Sequence, residues 1–170
     1  MKIRYILPLV AALAACSGGS RQSAPDVARG LFVDAEGLRP AGTTLRIDFG
    51  REQAGVIASV TNILGTAPAS QSTNAECGAG PVTAVRWAEG ITLNFQEEAF
   101  HGWVTDNAAF RSPTGVTVGQ SREDAAAAGA SGFSQTSLGT EFSAGRIYGI
   151  MDESGETVDL LFAGVTCFFR

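Results

Sequence analysis

The chain has 170 residues, 12 basic against 17 acidic side chains, and 21 glycines, with a formal net charge of −5. An acidic balance without an arginine cluster argues against nucleic acid as a partner, because phosphates require a basic patch. Lys2 is the only lysine, so a chain that loses its start has no lysine for Schiff-base or Ser-Lys chemistry.

Residues 1–15 read as a secretory signal peptide. Lys2 and Arg4 precede a short apolar run that ends in small residues where a peptidase can cut. The run is too short to cross a bilayer, which takes about 20 apolar residues. Leu13-Ala14-Ala15 followed directly by Cys16 resembles the lipobox of bacterial lipoproteins. The resemblance implies cleavage before Cys16, two acyl chains on its thiol and usually a third on the new amino group. Ser17 stands where an Asp would favour inner-membrane retention, so the implied address is the periplasmic face of the outer membrane in a Gram-negative-type envelope. One acyl chain binds reversibly, at about 0.8 kcal/mol per buried methylene, whereas three hold permanently. Residues 16–30 are Gly- and Ser-rich and predict a flexible tether. Loss of residues 1–15 leaves 10 basic residues, all arginine, against 17 acidic ones, a net −7.

Residues 31–170 suffice for a single domain with a real core. Residues 45–49 alternate apolar and polar, which predicts a half-buried strand ended by Gly50. Residues 53–64 carry Val56, Ile57, Val60, Ile63 and Leu64 at helical spacing, with Gly65 as the C-terminal cap and Pro68 as a stop. A meander follows, with strands at 82–87, 91–95 and 100–105, a hairpin turn at Glu89-Gly90 and a turn at 96–99. Residues 116–118 predict a strand ended by Gly119, and 122–128 a short helix capped by Ser121, with Glu123 and Asp124 in its first turn. Strands are expected at about 146–151, 157–162 and 165–169, with Asp152 to Glu156 as a turn.

The pattern predicts an α+β fold, antiparallel meanders with two short helices packed on one face. Ile47-Asp48-Phe49-Gly50 aligns with Val116-Thr117-Val118-Gly119, and this period of about 69 residues suggests a tandem duplication, with repeats at about 43–107 and 114–170. A strand ending in Phe49-Gly50 or Val118-Gly119, a short polar segment and then a helix is similar to repeats of the β-lactamase inhibitor protein. It is similar also to the small outer-membrane-assembly lipoproteins of that helix-plus-sheet fold. Arg51-Glu52 and Gln120-Ser121 depart from the Met-Thr or Leu-Thr of those repeats. The resemblance implies fold alone.

With Cys16 assigned to lipid, Cys77 and Cys167 remain, and an even remainder in an oxidising compartment predicts one disulfide. It closes a loop of about 90 residues, worth up to roughly 4.5 kcal/mol. Zinc is the rival, but two thiols and one histidine lack its close ligand spacing. Neither a metal nor a cofactor is expected.

His101, the only histidine, lies near Glu97 and Glu98 and offers a general base. Strand alternation instead places it beside Trp103 as an ordinary sheet histidine. Gly129-Ala130-Ser131-Gly132-Phe133 lacks nucleophile-elbow spacing, and adjacent Glu97 and Glu98 read as a solvated turn rather than an acid pair. Asp152 to Glu156 lacks the length of a calcium loop. Trp87 and Trp103 either fill the core or, with His101, form a binding face. The expected function is a non-catalytic, lipid-anchored envelope protein that binds an envelope protein or the wall. The alternatives are a hydrolase using His101 and a small-ligand site lined by Trp87, Phe95 or Trp103.

Overall fold

A computed structural model describes Met1 and residues 30–168; the signal run, Cys16 and most of the tether lie outside the described residues. Among the described residues no helix is long and apolar enough to cross a membrane. Strands β1 (Leu31–Asp34), β2 (Gly37–Pro40) and β3 (Ile47–Asp48) form a small antiparallel sheet. Helix α1 (Gln53–Leu64) leads into β4 (Ser70–Asn74), β5 (Val82–Trp87), β6 (Ile91–Gln96) and β7 (Ala99–Thr105). Helix α2 (Arg122–Ala127) leads into β8 (Ser131–Thr136), β9 (Gly139–Ala144), β10 (Ile147–Met151) and β11 (Val158–Gly164). These last eight strands make one antiparallel sheet in the order β4-β5-β6-β7-β11-β10-β9-β8. The α+β fold with antiparallel meanders is as expected.

Each half is a helix followed by a four-stranded meander, and the final strands, β7 and β11, meet in the middle. The halves repeat their wiring. Gly50 donates to the Phe100 carbonyl, Phe100 to Arg51 and Gln53 to Glu98; Gly119 donates to Val158, Val158 to Gln120 and Arg122 to Glu156. Each helix is thus tied by its entry segment to the last strand of its own meander. Gly50 and Gly119 have φ of 89° and 83°, and a Cβ at either would meet nothing within 4 Å. Backbone conformation, not space, is what selects glycine there.

Helix α1 spans the predicted residues. Val56, Val60 and Leu64 point into the core, and Gly65 ends the helix at φ 73°. Its N-terminus is closed by Glu52, whose carboxylate accepts from Ala54 N and Gly55 N at 2.8 Å each. Ser121 caps α2 as predicted, its Oγ accepting from Asp124 N at 3.0 Å.

Reading across the sheet shows which face is buried. Trp87, Ile91, Thr105, Leu161, Gly149 and Phe142 are successive partners on β5, β6, β7, β11, β10 and β9, and all six are buried. The hairpin β1–β2 adds Leu31, Val33 and Leu38 to this core, and α1 adds its apolar stripe. Gly149 is needed because the Phe142 ring lies directly over it, where a Cβ would overlap the ring.

Several elements differ from expectation. The strand predicted at 45–49 contracts to Ile47–Asp48 and pairs with β2, outside the large sheet. Residues 116–118 form no strand; Thr117 N is instead bonded by the Gln120 side chain. The Gly/Ser stretch after α2 holds the hairpin β8–β9, and β4 precedes the first predicted meander strand. β4 and β8 are edge strands exposed along most of their length, so they carry no apolar alternation. Residues 165–168 leave the ladder, because Gly164 at φ 73° turns the chain out of β11 and over the sheet.

Candidate functional site

The face of the sheet opposite the apolar row is read the same way. Arg86, Thr92, Val104, Phe162, Tyr148 and Ser143 are successive partners from β5 to β9. The character of this face changes at the middle. On the β5–β6 side Arg86 is paired with Asp106 at 2.8 Å. On the β11–β10 side Tyr148 stacks on Phe162, ring centroids 5.7 Å apart, and Phe162 meets Phe168 edge-on at 5.1 Å. Tyr148 is 46% exposed although it is a large aromatic in a sheet. Leu160, Ile150 and Phe168 border a recess that Asp152 and Asp159 also line.

Phe168 reaches this cluster on a strap that crosses the sheet. Val165 N donates to the His101 carbonyl at 2.8 Å, and the buried Asn94 donates its Nδ2–H to the Val165 carbonyl at 2.9 Å. The strap runs so close to β7 that a Cβ at Gly102 would overlap the Val165 backbone. Only a residue without a side chain permits this approach.

The strap also carries Cys167 to Cys77. Asn74 Nδ2 donates to Cys167 Sγ at 3.2 Å, and the Cys77 thiol lies 4.0 Å from the Thr166 carbonyl. Both cysteines are free thiols in this structure, Cys77 buried and Cys167 half-buried. Burial first, and then the neighbouring Cys77 thiol, push the Cys167 thiol up to about 11. The disulfide expected between these two residues is therefore not formed in this structure, although the strap brings them near one another.

Of the two roles left open for the tryptophans, the structure shows the core and not the binding face. Trp87 and Trp103 are each 0% exposed. Their indole N–H groups donate inward, Trp87 to the Thr66 carbonyl at 3.2 Å and Trp103 to the Asp34 carbonyl at 2.8 Å. Phe95 is buried with them, so none of the three rings offers a surface to the alternative of a small-ligand site lined by Trp87, Phe95 or Trp103. His101 is placed by a bulge. Phe95 pairs with Phe100 and Asn94 with Gly102, so His101 is the extra residue between them. The bulge breaks alternation, which sends both Phe100 and Trp103 into the core and separates His101 from the Trp103 face. Among the described residues no hydrogen bond or ion pair joins the His101 imidazole to Glu97 or Glu98. Those two glutamates form the β6–β7 turn, as expected, at φ 48° and 60°. Asp152 likewise acts as a turn residue. It accepts from the Ser154 hydroxyl and the Thr157 and Glu156 amides, which hold its carboxyl below the usual range.

Comparisons with family models, curated proteins and solved structures find no match to this chain. The likeness to the inhibitor repeats therefore rests on the residues quoted for it.

Proposed function

We propose that this chain is a non-catalytic binding protein of the bacterial cell envelope. It is held to the outer membrane by acyl chains on Cys16 and engages another envelope protein through the sheet face around Tyr148. The observation that carries the binding surface is the half-exposed Tyr148 stacked on Phe162. A rigid, part-exposed tyrosine seated on a second ring is among the side chains that dominate protein contacts. The anchor is supported by Lys2, Arg4, the short apolar run and Leu13-Ala14-Ala15-Cys16. The hydrolase alternative loses support because, among the described residues, the His101 imidazole has no carboxylate partner to orient it.

The surface is tested with a photo-crosslinking residue placed at Tyr148 in living cells, against the same residue at the exposed Ala58 of α1. A protein adduct from position 148 and none from position 58 is expected. No adduct, equal adducts from both, or attachment to wall glycan only would overturn the reading. The anchor is tested separately by labelling with an alkyne palmitate, where equal label on Cys16→Ser and wild type rules it out.

A further inference from the structure

We propose that Cys77 and Cys167 form a redox latch that locks the 165–168 strap across the open sheet face. The strap is already docked there by the Val165 amide, the Asn94 side chain and the Phe162–Phe168 contact. The two thiols are neighbours, with Asn74 on one and the Thr166 carbonyl beside the other. Cys77 lies in the connection that leads from edge strand β4 to β5, and Cys167 follows β11. A bond between them thus fastens the end of the second half to the outer margin of the first. The latch does not depend on what the face binds.

The chemistry is thiol–disulfide exchange with a disulfide-bearing oxidant. The more accessible Cys167 gives its proton to solvent, attacks one sulfur of the oxidant and expels the other as a thiolate. Cys77 then gives up its proton and attacks the Cys167 sulfur, expelling the second oxidant thiolate. Two protein thiols are oxidised, one disulfide is reduced to two thiols, and the two released protons return to the leaving groups. The raised Cys167 thiol is scarcely ionised at neutral pH, which makes the first step slow and base-accelerated. The second step is intramolecular between sulfurs already held together.

The test uses the full chain carrying Cys16→Ser, reduced and then exposed to oxidised glutathione, with a Cys77→Ser companion. Samples are alkylated and read by intact mass and by non-reducing peptide mapping, at the time when the companion has become a mixed disulfide at Cys167. The wild-type pair is then expected to be two hydrogens lighter, to resist alkylation and to yield one peptide pair joining Cys77 to Cys167. Its unfolding equilibrium constant should fall by up to about two thousandfold, the loop-closure effect for ~90 residues. Wild-type protein that stops at the mixed disulfide, or that keeps two alkylatable thiols at that time, overturns the latch. Circular dichroism of the companion shows whether the Cys77→Ser substitution leaves the fold intact. If it does not, Cys77→Ala takes its place and supplies the same time point at Cys167.

Discussion

Gly102→Ala should lift the strap without touching the core. A Cβ at Gly102 would occupy the position of the Val165 backbone, and a peptide group cannot rotate aside as a side chain can. Gly102 does not sit at a positive φ, so alanine adds no backbone strain of its own. The strap must leave, taking with it the Val165–His101 and Asn94–Val165 hydrogen bonds at 2.8 and 2.9 Å. At about 1 kcal/mol per hydrogen bond the cost is near 2 kcal/mol, because water reaches Asn94 once the strap is gone. Loss of the Phe162–Phe168 edge contact adds about 0.5–1.5 kcal/mol. Urea denaturation of the reduced protein measures the change, and alkylation of Cys167 in the folded state should accelerate in parallel. A variant within about 0.5 kcal/mol of wild type, with unchanged Cys167 alkylation, would refute the account of the strap.

Glu97→Asn with Glu98→Gly should stabilise the protein by about 1–2 kcal/mol, since both residues sit at left-handed φ in a two-residue hairpin turn that favours Asn-Gly; thermal unfolding would show it, and an unchanged midpoint counts against the turn. Gly149→Ala should cost about 1–3 kcal/mol by pressing on the Phe142 ring. Combined with Phe142→Ala, the two losses should fall short of additivity by more than about 0.5 kcal/mol, and additive losses would contradict the pairing of these residues. Glu52 is held below its ordinary value of 4.5 by the Ala54 and Gly55 amides. Its cap is therefore at full strength above that value and is lost as pH falls through the lower folded value. The stability gap between wild type and Glu52→Gln should be constant near neutrality and close in acid; a gap that persists at low pH would disprove it.

The elements that were legible in the sequence are those whose own side chains decide them. Val56, Val60, Leu64 and Gly65 reveal α1 by their spacing, and Ser121 marks the start of α2. The β5–β7 meander shows because its strands alternate against a core. β4, with Ser-Gln-Ser-Thr-Asn, carries no apolar residue, and β8 has only Phe133; each is a strand because a neighbour supplies hydrogen bonds. The candidate site was less legible for the same reason. The side on which Trp103 lies depends on the bulge at His101, which exists only in the pairing of β7 with β6. Tyr148 alternates visibly with Ile147, but whether its face is open depends on the strand order. The strap hinges on Gly164, one glycine among 21.

Placing β11 beside β7 has a consequence during synthesis. In the middle of the sheet lies β11, which is made after the other seven strands, so β7 stays unpaired on one side until all of them have been made. Such distant pairing folds slowly and leaves an adhesive margin waiting. A nascent copy therefore carries that margin until β11 has been made, and anything that shortens the chain before β11 leaves it permanently bare.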